Sequence, residues 1–227
     1  MAVAIVPVKN LDQAKSRLSP LLDDTERRGL VEAMLADVLG ALSRARGIDE
    51  IFVVSDGRGL APGAFTLVSE QMNRGYDEAV AIALAEPRVA SASAALILPG
   101  DLPLVSSDDI DAFLGDGDPV SPTIRIAPAR DGDGTNALLI APPGLMPTRF
   151  GLGSFERHKR EAEALNSTVE IVAPAGLAFD IDTPQDLLQF RARGGETNTH
   201  AFLARAGLAE RLDRAVEMAR KPAADRG

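Results

Sequence analysis

The stretch AALILPGDLPLV (94–105) sets an apolar run against a carboxylate. Asp101 follows a buried-strand pattern and is held between Pro99-Gly100 and Pro103. A charge beside a core needs a partner, often a metal or another cation, and in open α/β sheets ligands gather just beyond the carboxyl ends of the strands. Asp101 is therefore either a turn residue or a site residue. Two more carboxylates, Asp180 and Asp182, stand two residues apart in FDIDTPQDL (179–187). In an extended chain both point to one side. With Asp101 they form a set of three hard oxygen ligands, for which Mg2+ is the natural metal. The DTP segment is also a helix start, which accounts for Asp182 better than for Asp180.

Charge of the opposite sign lies in VPVKNLDQAKSRLSP, the loop after the first apolar run, where Lys9, Lys15 and Arg17 fall close together. Neither a G-x-G-x-x-G fingerprint nor a Walker loop occurs there. Three cations at a strand's carboxyl end suit a triphosphate or a pyrophosphate leaving group; a solvated basic loop is the plain alternative. RDGDGTNALL (130–139) opens like a calcium loop, but Pro142 stands where an EF-hand needs Glu. Gly132 and Gly134 allow close backbone approach, and Thr135 and Asn136 offer donors for an oxyanion. A D-G hairpin needs less than this. RFGLGSFERH (149–158) places Gly151 and Gly153 before Ser154, read as a helix N-cap whose free N–H groups make an anion site. A simply capped helix is the commoner arrangement. His158 and His200 lack the Ser or Cys context of a nucleophilic triad.

These segments need a scaffold that brings them to one edge. Val3–Val8 reads as a first strand, 24–45 as a helix with Leu30, Met34, Val38 and Leu42 on one face. Strands are expected at 50–55, 64–70 and 94–98, and helices at 75–86 and 106–114, the latter capped by Ser106 or Ser107. Two strands flank ARDGDGT without an intervening helix, which predicts an antiparallel excursion. A helix over 154–165, a strand over 168–172 and a helix capped by Thr183 with Pro184 first complete the pattern. Alternating strands and helices predict an α/β fold with a mainly parallel, mixed sheet flanked by helices.

Composition sets the outer bounds. The chain of 227 residues is 45% hydrophobic and 25% charged, enough for a core in one large domain. Cys is absent, which removes disulfides, thiolate metal sites and thiol nucleophiles. A reducing cytoplasm fits this. A net charge of −9 argues against nucleic acid as a partner, and with 4% aromatics and no Trp there is little to stack bases on. The start is not read as a signal peptide, and no window is long enough to span a membrane.

VPVKNLDQAKSRLSP, LPGDLPL, DGDGTNALLIAPP, FGLGSFERH and DIDTPQDL resemble, in this order, the CofC/FbiD guanylyltransferases of coenzyme F420 biosynthesis. The resemblance covers about residues 3–190. It implies a single-domain GT-A-like, nucleotide-diphospho-sugar transferase fold over 1–192. Residues 193–227 form a linker and helical C-terminal appendage that packs on the domain or mediates a homodimer. It implies transfer of GMP from GTP to 2-phospho-L-lactate, phosphoenolpyruvate or 3-phospho-D-glycerate, with release of pyrophosphate. Carried over, Asp101 and one of Asp180 or Asp182 hold Mg2+. Thr135, Gly151 and Ser154 hold the acceptor's carboxylate or phosphate, and the basic loop faces the GTP phosphates. The family commonly has G-L-N-x-A where this chain has Gly75-Tyr76-Asp77-Glu78-Ala79. That helix borders the nucleotide side, so base and acceptor stay open there. The rivals are a MobA-like nucleotidyltransferase with another acceptor or base, whose Gly-rich first loop is missing here, and a non-catalytic nucleotide-binding protein.

Overall fold

A computed structural model describes residues 2–8, 11, 14–58, 60, 63–70, 72, 74–117, 122–165, 167–205 and 207–220, with 168 and 215–220 as backbone only. The elements run β1 (Ala2–Pro7), α1 (Asp24–Arg44), β2 (Ile48–Ser55), β3 (Thr66–Ser69), α2 (Tyr76–Leu84), α3 (Pro87–Ala90), β4 (Ala94–Ile97) and α4 (Ser107–Leu114). After them come β5 (Thr123–Pro128), β6 (Thr135–Ala141), α5 (Ser154–Ala164), β7 (Thr168–Ile171), α6 (Pro184–Arg193), α7 (Asn198–Arg205) and α8 (Leu208–Arg220). The seven strands form one sheet in the order β3-β2-β1-β4-β6-β5-β7. Strands β3, β2, β1 and β4 are parallel, and β6 runs against both β4 and β5. The antiparallel excursion falls at the two strands around ARDGDGT, as their bare connection predicts.

Period-two burial explains the two-sided packing. Ala2, Ala4 and Val6 of β1 face α1, α4, α6, α7 and α8, while Val3 and Ile5 face α2, α3 and α5. Helix α1 lays Leu30, Met34, Val38 and Leu42 on the sheet, all fully buried. Its start is fixed by reciprocal bonds between Asp23 and Glu26. Ser106 caps α4 and Thr183 caps α6, with Pro184 in the first turn.

The C-terminal helices dock on this body. The carboxylate of Asp37, buried on α1, accepts from the Asn198 and Thr199 amides (2.7 and 3.0 Å) and from the Thr199 hydroxyl (2.6 Å). Phe202 lies over Gly29, where a Cβ would sit 2.4 Å from the ring. Arg211 bonds Leu21 O and the Glu26 carboxylate. A glycine on α1 is thus explained by a residue of the tail.

The antiparallel turn has a consequence for chemistry. The carboxyl ends of β1, β4, β5 and β7 and the start of β6 all lie at one edge. The loops carrying Lys15, Asp101, Thr135 and Asp180 therefore converge there.

Candidate active site

At this edge β4 gives way to Pro99-Gly100-Asp101. Gly100 packs so closely on Leu35 that a Cβ would come to 3.2 Å. The Asp101 carbonyl accepts the Ile181 amide at 3.3 Å, which ties the two acidic segments together. Ile181 is fully buried. Its side chain goes into the core, between Asp180, which accepts from Asn136, and Asp182, which accepts from Lys15.

A lysine stands among these carboxylates. Lys15 Nζ is 2.5 Å from Asp101 Oδ2 and 2.5 Å from Asp182 Oδ1, and its side chain is 9% exposed. Lys15 reaches them from a left-handed backbone, φ +55°, at the start of the 3-10 turn Ser16–Leu18. Buried Leu18 anchors that turn. Burial alone would drive the ammonium to lose its proton. Asp101 and then Asp182 outweigh it and hold the Lys15 pKa far above the ordinary lysine range. Asp180 behaves oppositely. Burial, then the Asp101 charge, raises its pKa, opposed by the Asn136 amide at 3.3 Å. Asp101 Oδ1 is buried and has no hydrogen-bond partner among the described residues.

A bulge re-aims the next two residues. Ala127 pairs with Ala137 but Pro128 pairs with Thr135, leaving Asn136 as the extra residue of β6. Asn136 turns to Asp180, and Thr135 turns to the other layer, where its hydroxyl lies 3.0 Å from Nδ1 of His158. The tautomer follows from the far side of the ring. Nε2 accepts the Arg149 amide at 2.8 Å, so the proton is on Nδ1 and is donated to Thr135 Oγ1. The Thr135 hydroxyl hydrogen is thereby left to point elsewhere. The neighbouring Phe150 amide goes to Asp77 Oδ1 at 2.9 Å.

The whole chain, residues 2–222, matches the family model for CofC-like guanylyl transferases. The chain belongs to the CofC-like guanylyl transferase family. A phosphoenolpyruvate guanylyltransferase of Conexibacter woesei is 38% identical over 209 residues, covering 88% of this chain and 94% of that protein. A 2-phospho-L-lactate guanylyltransferase of Methanothermobacter thermautotrophicus is 34% identical over 206 residues, covering 88% of each. Among solved structures, a protein from Desulfovibrio desulfuricans assigned to the nucleotide-diphospho-sugar transferases superposes with a TM-score of 0.72 at 15% identity. That match covers 93% of this chain and 97% of that one, and it shows the shared fold. The family match runs through the C-terminal helices, which the sequence resemblance leaves out.

In this guanylyl transferase the sequence-predicted residues sort into two groups. Lys15, Asp101, Asp180, Asp182 and Asn136 meet in one cluster, and Thr135 joins His158 beside it. Arg17 is exposed on the Lys15 turn, and Lys9 lies outside the described residues. Gly151 is exposed with φ +97°. The expected N-cap moves by one residue: Gly153, φ +68°, precedes α5, and Ser154 is its first helical residue. The helix-start amides expected to be free are engaged. Gly153 N donates to Asp133 Oδ2, Ser154 N to Gly151 O and Phe155 N to Asp133 O. The DGDG loop, itself held by Asp131, thus serves to pin α5. Among the described residues no three His, Asp or Glu side chains already converge into a cage for an ion. A cavity lined by Ala2, Arg46, Asp111 and Gly115 lies at the amino ends of the strands, the wrong edge for this fold's ligands, and Arg46 and Asp111 already pair there.

The sequence set His158 aside as lacking a triad context but did not show that it supports Thr135. The signal is its place between Ser154 and Ala162 at four-residue spacing, a face of α5 that is wholly inward. Burial pushes its pKa down to about 4, against a smaller opposing pull from Asp77. A base depressed in the fold binds its proton more readily when unfolded. Stability is therefore full above the unfolded value of about 6.5 and is lost as pH falls toward about 4, by up to about 3 kcal/mol. Melting temperatures measured across this window should show that loss, and His158→Gln should flatten it. An unchanged slope in the variant would place the acid sensitivity elsewhere.

Proposed function

We propose that the chain transfers GMP from GTP to a phosphorylated three-carbon acid, releasing pyrophosphate, as a cytoplasmic step of coenzyme F420 biosynthesis, with Mg2+ at the Asp101 and Asp180 carboxylates. The observation that carries it is the cluster of Asp101, Asp180 and Asp182 around Lys15 at the ligand edge of the sheet, in a chain of this family. The cluster also fits the metal. Asp101 Oδ1 is a buried oxygen without a partner, and Asp180 is a carboxylate whose charge is disfavoured by burial and by Asp101 until a cation joins it. Both are hard donors of the kind Mg2+ takes. Asp101 and Asp180 would hold the ion, leaving Asp182 to Lys15. When bound, the ion neutralises phosphate charge and orients the reactants.

A phosphate oxygen of the acceptor attacks the α-phosphorus of GTP in line. The new P–O bond forms as the bond to the β-phosphate oxygen breaks, and pyrophosphate leaves. A phosphate dianion is already a nucleophile, so no general base is needed, in keeping with His158 being committed to Arg149 and Thr135. The Lys15 ammonium has three donors, of which two are used. The third, with exposed Arg17, stabilises the departing charge. The outward Thr135 hydroxyl hydrogen serves the acceptor's carboxylate or phosphate.

Incubation with GTP, Mg2+ and each of 2-phospho-L-lactate, phosphoenolpyruvate and 3-phospho-D-glycerate is expected to release pyrophosphate with at least one of them. No release with any would sink the assignment.

A further inference from the structure

The hydroxyl of Tyr76 is a hydrogen-bond donor without an acceptor. The residue is part-exposed, but the oxygen is screened from water and has no partner among the described residues. The side chain is not free to look for one. Gly75, φ +117°, turns the chain into α2, with Tyr76 as its first residue. The Tyr76 ring packs on Phe150 with centroids 4.6 Å apart, and Phe150 meets His158 edge-on at 4.8 Å. The adjoining Asp77 holds the Phe150 amide. Both ends of this aromatic wall are therefore tied, one to α2 and one to α5.

What the hydroxyl faces is indicated by its surroundings. Burial and then the Asp101 charge push the phenol pKa well up, which places Asp101 within electrostatic reach. Yet no hydrogen bond joins the two, and Asp101 Oδ1 is itself unpartnered. The ring contacts run from Tyr76 through Phe150 and His158 to Thr135 beside the carboxylate cluster, so a buried donor and a buried acceptor are both left open along this one edge of the sheet. A phosphate with its counter-cation satisfies both at once: a phosphate oxygen accepts from the phenol, and the cation meets the carboxylate. A neutral phenol suits a polyanion, and the nearby Asp77 charge is turned away onto a backbone amide.

We propose that Tyr76 donates its phenolic hydrogen to a phosphate oxygen of the substrate bound at Asp101, as a specificity-determining contact of this chain. It rests on the guanylyl-transfer assignment above. The phosphate is either that of the nucleotide or that of the acceptor acid.

The test uses a property of the composition. Tyr76 is the one tyrosine and Trp is absent, so difference absorbance and emission, corrected for guanine absorption against the same ligand titrated into Tyr76→Phe, report this side chain alone. The full chain is titrated, with Mg2+, with GTP, with pyrophosphate and with each of the three acids. The ligand whose phosphate is contacted should move the phenol band near 280 nm to longer wavelength and change the emission. Tyr76→Phe should lower kcat/KM about 10- to 100-fold. It should raise KM for the contacted substrate alone and leave the melting temperature unchanged or higher. A spectral shift with GTP but no pyrophosphate release with any acid would overturn the transfer assignment and keep the contact. Pyrophosphate release with an unmoved spectrum, or wild-type kcat/KM in Tyr76→Phe, would overturn the contact alone. No shift with any ligand would also overturn it.

Discussion

Asp101→Asn is expected to lower turnover by two to three powers of ten while moving the melting temperature little. The substitution keeps the shape of the side chain and removes one charge and one strong metal donor. If Asp101 oxygens help to hold the ion that meets the phosphates, each few kcal/mol of lost transition-state stabilisation costs about two to three powers of ten. Stability is held by opposing terms. Lys15 loses one of its two carboxylate partners, but Asp182 remains at 2.5 Å. Asp180 meanwhile loses the neighbour that raises its pKa most after burial. Lost attraction and relieved repulsion act in opposite directions. Mg2+ should raise the melting temperature of the wild type and fail to raise that of the variant. A turn residue at this place predicts the reverse, since asparagine serves a turn as well as aspartate does. Near-wild-type turnover in Asp101→Asn would remove the metal role.

The features that could be read beforehand are those set by local pattern. The period of two along Val3–Val8 and the four-residue spacing from Leu30 to Leu42 fix elements whose burial follows directly. In Asp180-Ile181-Asp182 the middle residue is buried between two carboxylates that reach Asn136 and Lys15. What escaped depends on contacts between distant segments or on local departures from regularity. Thr135 and Asn136 would have been sent to the wrong layers by simple alternation, because the bulge opposite Pro128 inserts one residue. The α5 amides looked free because Asp133, twenty residues before Gly153, gives no sign in the sequence that it bonds there. The sequence left the tail either packed on the domain or mediating a homodimer, because Asp37 and Gly29, which receive it, lie on α1 far earlier in the chain.

Lys15 is the clearest case. Its residue type and its loop pointed to phosphates, and nothing in the sequence placed it between two carboxylates 86 and 167 residues away. It is also the one non-glycine residue with positive φ among those described. A left-handed lysine costs roughly 1–2 kcal/mol relative to an ordinary conformation, and the two ion pairs offset that. Lys15→Met keeps most of the stem and the same backbone demand while deleting the charge. Three carboxylates are then left together without a cation. The melting temperature should fall at neutral pH, and its deficit against the wild type, which carries the same His158 loss in acid, should narrow as the solution is acidified and the carboxylates take up protons. Asp182 is 49% exposed, so water screens part of this repulsion. If the ammonium's third donor meets the leaving pyrophosphate as proposed, turnover should drop by at least two powers of ten even at temperatures where the variant is fully folded. A lysine with a purely structural role predicts that turnover returns wherever folding is restored, by acid, by cold or by Mg2+. Measuring kcat and the KM for GTP on the folded variant separates the two. A kcat within a few-fold of wild type would confine Lys15 to holding Asp101 and Asp182 in place.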